Sequence, residues 1–191
     1  MGTARLEAFS DGVIAIIITI MVLELKRPHT ADWSALLSML PTFLTYLLSF
    51  VSVATYWNNH HHLLHAIQHV TGAVLWANMH LLFWLSLLPF VTGWMAETHF
   101  SEVAVALYGI VIIGAAGAYA LLVRILLLNR DKNPQLADAV GSDFKGKVSV
   151  LIYVVAIALV FVNTMISCAL YVVVAVMWLV PDRRIERTLH R

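Results

Sequence analysis

The stretch Arg5-Leu6-Glu7-Ala8-Phe9-Ser10-Asp11-Gly12-Val13-Ile14-Ala15-Ile16-Ile17-Ile18-Thr19-Ile20-Met21-Val22-Leu23 places three ionisable side chains and a hydroxyl in two helical turns, then continues without a charge. Ionisable groups within a membrane span are costly and face a bundle interior or water. Arg5 and Asp11 stand six residues apart, on different sides of a helix, so they cannot pair within it. Each is expected to find its partner on another helix. Glu7 reads as part of a polar interfacial end, whereas Ser10 and Asp11 read as members of a buried network. Beyond Asp11 the helix is apolar all round, as lipid requires. One of its faces carries Ile16, Thr19, Ile20 and Leu23 at the i, i+3, i+4, i+7 spacing.

The rest of the chain has the same character. Of 191 residues, 61% are hydrophobic and 12% charged, where soluble domains carry about 25% charged residues. An ordinary water-soluble enzyme is excluded on that ground. Spanning helices need about 20 apolar residues each, and six are read, over residues 6–25, 34–59, 70–96, 103–128, 148–163 and 164–180. The expected fold is an all-α, polytopic membrane helix bundle, with residues 1–191 forming one domain. Pro41 should kink its helix or mark a late start, and Pro89 should bend its helix. Gly109, Gly114, Gly117 and Ala118 are small enough for close packing in the fourth span. Residues 129–147 read as a surface loop or short interfacial helix. Residues 148–180 hold no charge and are too long for one comfortable span, so a turn is placed at Asn163-Thr164.

Charge sets the expected orientation. With six spans, both ends share a side with Arg5, Arg124, Arg130, Lys132, Lys145, Lys147, Arg183, Arg184, Arg187 and Arg191. The other side holds Lys26 and Arg27 against Glu24, Asp32, Glu97 and Glu102. By the positive-inside rule both termini are cytoplasmic. The tail 181–187 reads as a stop signal with snorkelling arginines. Trp33, Trp76, Trp94 and Trp178 read as an aromatic belt. A net charge of +1 argues against a nucleic-acid partner, and the single Cys168 cannot form an internal disulfide.

Histidine is concentrated in Asn58-Asn59-His60-His61-His62-Leu63-Leu64-His65, followed by His69. His61/His65 and His65/His69 are i, i+4 pairs of the kind that share a metal. No carboxylate or cysteine lies close in sequence, so no metal site is assigned. The histidines are read as capping the second span, with His61, Trp57 and Asn78 supporting the Arg5/Asp11 network. His80 is read as a satisfied core histidine.

Arg5-x-x-x-Phe9-Ser10-Asp11 matches the RxxxFSD signature of the lysosomal and bacterial potassium-channel family known as transmembrane protein 175. The run through Leu25, Trp57-Asn58 with His61, and residues 78–90 also resemble bacterial members. The resemblance implies a homotetramer in the bacterial inner membrane, with the first helix of each subunit lining a central pore. It further implies that Arg5, Phe9, Ser10 and Asp11 knit that helix to its neighbours. Apolar constrictions would fall at Ile16, Ile20 and Leu23 and a hydroxyl layer at Thr19; the position of a serine in animal members is Ala15 here.

The function expected is passive, potassium-permeable cation conduction through a hydrophobic constriction, without enzymatic activity. No cofactor is called for, potassium being the permeant ion, and the partners are monovalent cations, membrane lipid and further copies of the chain. A proton-coupled or cation secondary transporter titrating Asp11 is the alternative, although no inverted repeat is visible. An intramembrane metalloenzyme built on His61, His65 and His69 is a third reading.

Overall fold

Long apolar runs interrupted by proline, glycine and capping residues produce eight helices among the described residues. The computed structural model describes residues 2–28, 30–128 and 144–179. The helices are α1 (Thr3–Leu23), α2 (Trp33–Ser38), α3 (Leu40–His65), α4 (Gly72–Ser86), α5 (Leu88–Glu97), α6 (Glu102–Leu128), α7 (Phe144–Leu159) and α8 (Thr164–Leu179). Among the described residues, four units are long and apolar enough to cross a membrane: α1, α3, α4 with α5, and α6. The helices α7 and α8 have 16 residues each, about 24 Å at 1.5 Å per residue, and pack together as a hairpin. The six-span bundle is this arrangement.

Each boundary has a local cause. Pro41 sits in the first turn of α3 and separates it from α2 at Met39. Pro89 does the same for α5: lacking an N–H, it cannot bond the carbonyl four residues back, and the third span breaks at Leu87. Asp32 caps α2, its carboxylate accepting from the Ala35 amide and the Ser34 hydroxyl, each at 2.7 Å. Those donors hold the Asp32 carboxyl down at about 2. The turn placed at Asn163-Thr164 is present, and Asn163 Oδ1 caps α8 by accepting from Met165 N at 2.9 Å. The helix expected to end near residue 59 instead continues to His65. His60, His61, His62 and His65 therefore belong to its last turns and do not cap it from outside.

Packing is organised around α6, which touches α4, α5, α7 and α8, while α1 lies on α3, α4 and α5. Gly114 lets α6 meet α4: a Cβ there would stand 2.3 Å from the Trp84 ring. Gly109 is equally confined by the Tyr171 hydroxyl and Ile157. Gly117, expected to serve the same purpose, faces open space. Buried hydroxyls are satisfied inside the bundle, since lipid offers no partners. Ser49 pairs with Thr92 at 2.7 Å, and Tyr171 donates to the Val105 carbonyl at 3.0 Å.

Beyond the spans, Lys26 bonds Glu97 and so ties the end of α1 to the end of α5; the Glu97 carboxylate raises the Lys26 pKa. Trp33 and Trp76 are exposed, Trp94 is half-buried, and Trp178 donates to Ser149 Oγ at 2.9 Å. Cys168 is a half-buried free thiol. Arg130, Lys132, Arg183, Arg184, Arg187, Arg191, the tail 181–187 and most of the polar stretch 129–147 lie outside the described residues.

Candidate functional site on helix α1

Helix α1 has two unlike sides. Leu6, Ser10, Ile14, Ile17 and Met21 recur every three or four residues and are buried against the bundle. The opposite side carries Phe9, Gly12, Ile16, Thr19, Ile20 and Leu23, all exposed, with Ile16 at 60% and Leu23 at 74%. The stripe read from spacing is thus the face that the protomer leaves uncovered. Thr19 Oγ1 donates to the Ala15 carbonyl at 2.8 Å. Its proton is used within the helix, so the oxygen lone pairs are what it presents outward.

The polar residues of α1 divide between two neighbouring helices, α3 and α4. Ser10 Oγ donates to the Leu6 carbonyl at 2.8 Å and accepts from Asn78 Nδ2 at 2.9 Å. His60 Nε2 lies 2.7 Å from Asn78 Oδ1. The donor directions follow by elimination. The single Ser10 proton is committed to Leu6, so Asn78 must donate to Ser10 through its amide nitrogen. Its oxygen then accepts from a protonated His60 Nε2. This leaves His60 Nδ1 as a buried lone pair without a partner. All three side chains are buried, and the chain Leu6–Ser10–Asn78–His60 joins α1, α4 and α3.

One turn along, Trp57 Nε1 donates to Asp11 Oδ1 at 2.9 Å. Asp11 is half-buried and takes its partner from another helix, as its position required. Glu7 Oε1 lies 3.1 Å from His61 Nδ1 and 3.2 Å from His65 Nδ1. The histidines divide between two parts of this network. His61 does not reach Asn78; it stacks on Trp57, with centroids 5.8 Å apart, and joins Glu7. The Asn78 partner is His60, which a reading of residue types among three adjacent histidines could not single out. The reason is register: one residue turns the helix by about 100°, aiming His60 at α4 and His61 at α1.

Arg5 is exposed, and among the described residues no side-chain partner on another helix meets its guanidinium. His69 lies beyond the end of α3, so the i, i+4 relation expected with His65 is lost. His80 is exposed rather than in the core, and accepts from Trp84 Nε1 at 3.0 Å.

Taken as chemistry, α1 offers a polar end locked to two helices, α3 and α4, and, beyond it, a long apolar face with one hydroxyl oxygen. Residues 5–89 match the family model described as endosomal/lysosomal potassium channel TMEM175. The chain is 50% identical to a potassium channel of Chryseobacterium sp. (strain P1-3), over 99% of this chain and 98% of that one. It is 32% identical to a potassium channel of Chamaesiphon minutus, over 91% of this chain and 92% of the relative. The crystal structure of a lysosomal potassium-selective channel TMEM175 homolog from Chamaesiphon minutus superposes with a TM-score of 0.79 at 30% identity, covering 92% and 95% of the two chains. A signature that is locked into place by α3 and α4, and a likeness that runs through all the spans, place the chain in the TMEM175 potassium-channel family.

Proposed function

We propose that this protein is the subunit of a potassium-permeable cation channel, with the exposed face of α1 lining a central pore. The observation that carries the reading is the division of α1: its inner side is fully packed, while Ile16, Thr19, Ile20 and Leu23 form an uncovered stripe along the helix. One helix per subunit encloses a channel when copies repeat around a closed rotation axis, and a homotetramer supplies four. Rings of Ile16, Ile20 and Leu23 then make narrow, poorly wetted constrictions that gate by dewetting. Outward lone pairs of Thr19 give a permeating cation an oxygen layer between them. Arg5 and Phe9 lie at the entrance to this stripe, and Ser10, Asp11, Trp57, Asn78 and the histidines hold the helix in register. The channel sits in the cell membrane with both termini cytoplasmic. Transport is passive and involves no chemical conversion.

Planar-bilayer recording of the purified protein under bi-ionic potassium/sodium conditions tests this. Discrete single-channel steps with a reversal potential favouring potassium are expected. Slow, saturable flux without steps would replace the channel by a carrier.

A further inference from the structure

We propose that Glu7, His61 and His65 form a divalent transition-metal site that bridges α1 and α3, with Zn2+ as the ion best matched to the donor set. One carboxylate oxygen and two imidazole nitrogens lie within 4.8 Å of one another. Sequence alone hid the site, because the carboxylate comes from a different helix than the histidines.

The distances fit a metal polyhedron. Zinc binds imidazole nitrogen and carboxylate oxygen at about 2.0–2.2 Å, so donors on neighbouring tetrahedral corners lie about 3.3 Å apart. Glu7 Oε1 stands 3.1 Å from one Nδ1 and 3.2 Å from the other, which supplies two edges of such a tetrahedron. The two imidazoles already face each other, with ring centroids 4.3 Å apart. Side-chain torsion at the more exposed His65 can bring the third edge to length. Two imidazoles with one carboxylate suit zinc or its transition-metal neighbours, whereas calcium and magnesium prefer all-oxygen shells.

The surroundings also suit an ion. Side-chain exposure is 22% for Glu7, 35% for His61 and 53% for His65, so an ion can enter and water can complete its shell. His61 is held from behind by the Trp57 ring, whose indole is fixed by Asp11. His60 is not a ligand, being buried against Asn78. Each Nδ1 can share its proton with Glu7 in the metal-free state; on binding, Nδ1 must offer its lone pair and the proton resides on Nε2, which leaves the imidazole neutral. The bound ion would restrain α1 against α3 whether or not α1 lines a pore.

The test uses the full chain without a polyhistidine tag, purified in detergent and stripped with a chelator. Titration calorimetry with ZnCl2 should give one ion per chain, and zinc should raise the thermal unfolding temperature. Glu7→Gln and His65→Ala should each weaken zinc binding at least tenfold and abolish the thermal shift, whereas His80→Ala should change neither. Co2+ should develop the intense visible absorption of a four-coordinate ion in the parent chain and lose it in His65→Ala, an exposed position where folding is preserved. Absence of stoichiometric zinc, or equal zinc affinity in the parent, Glu7→Gln and His65→Ala proteins, overturns the site.

Discussion

Trp57 donates its indole N–H to Asp11 across 2.9 Å, and one turn away on both helices His61 meets Glu7. Asp11 lies four residues after Glu7 on α1, and Trp57 four before His61 on α3, so the two contacts are successive rungs of one antiparallel seam. Trp57→Phe keeps the ring but removes the donor, leaving a half-buried carboxylate short of a hydrogen bond. A loss of about 1–3 kcal/mol is expected, read as a lower unfolding temperature in detergent. Asp11→Asn retains an acceptor and should lose less. An unchanged melting temperature for Trp57→Phe would mean that this rung contributes nothing.

Asn78 links Ser10 to His60, so Asn78→Ala leaves the buried His60 Nε2–H without its acceptor and takes the donor from Ser10, which keeps its bond to the Leu6 carbonyl. An orphaned buried group costs about 1–3 kcal/mol. Ser10→Ala in the Asn78→Ala background should add little, because the bond is already gone. A double-mutant cycle on thermal unfolding measures the coupling, expected at about 0.5–3 kcal/mol; strict additivity would contradict a shared network.

Ile16 and Ile17 are neighbours with opposite surroundings, 60% and 3% exposed. Ile17→Asn puts an amide into the packed side of α1 and should destabilise the protomer by about 1–3 kcal/mol. Ile16→Asn should fold, wet the first apolar ring, raise basal potassium flux from liposomes and reduce the preference over sodium. A leak from a well-folded Ile17→Asn, with none from Ile16→Asn, would place the pore on the wrong face.

Gly114→Ala should force α6 from α4, since the added carbon meets the Trp84 ring. Overpacking of this kind costs about 1–3 kcal/mol. Gly117→Ala faces open space and should be neutral or slightly stabilising, because alanine favours the helix. Equal melting temperatures for the two variants would contradict the packing described.

Asp32 supplies a pH-dependent cap. Its carboxyl is held at about 2 by Ser34 and Ala35, below the usual value of about 3.9. A depressed carboxylate contributes fully above the unfolded pKa and loses that contribution as pH falls through the folded one. The Ala35 amide resonance should therefore keep its capped position at pH 4 and move only as pH approaches 2. Ser34→Ala should shift that midpoint upward.

Much of this molecule is determined by composition and local pattern. A backbone in lipid must satisfy its own polar groups as helices or as a closed barrel, and continuous apolar runs of this length, without a barrel's alternation, select helices. Pro41, Pro89 and Asn163 mark breaks wherever they fall, because their effects act within one turn. The stripe Ile16, Thr19, Ile20 and Leu23 is a property of helical spacing alone. Which side of α1 is packed, however, depends on where α3, α4 and α5 lie, and only the tertiary structure decides that. The same holds for the histidines: His60 binds Asn78 and His61 meets Glu7 because one residue of register turns a side chain by about 100°. It also holds for Gly117, which is small without being confined, and for Glu7, a lone carboxylate in sequence that joins two imidazoles in space. Helix periodicity is local and is written along the chain, whereas the pairing of one helix face with another depends on rotations that no single segment contains.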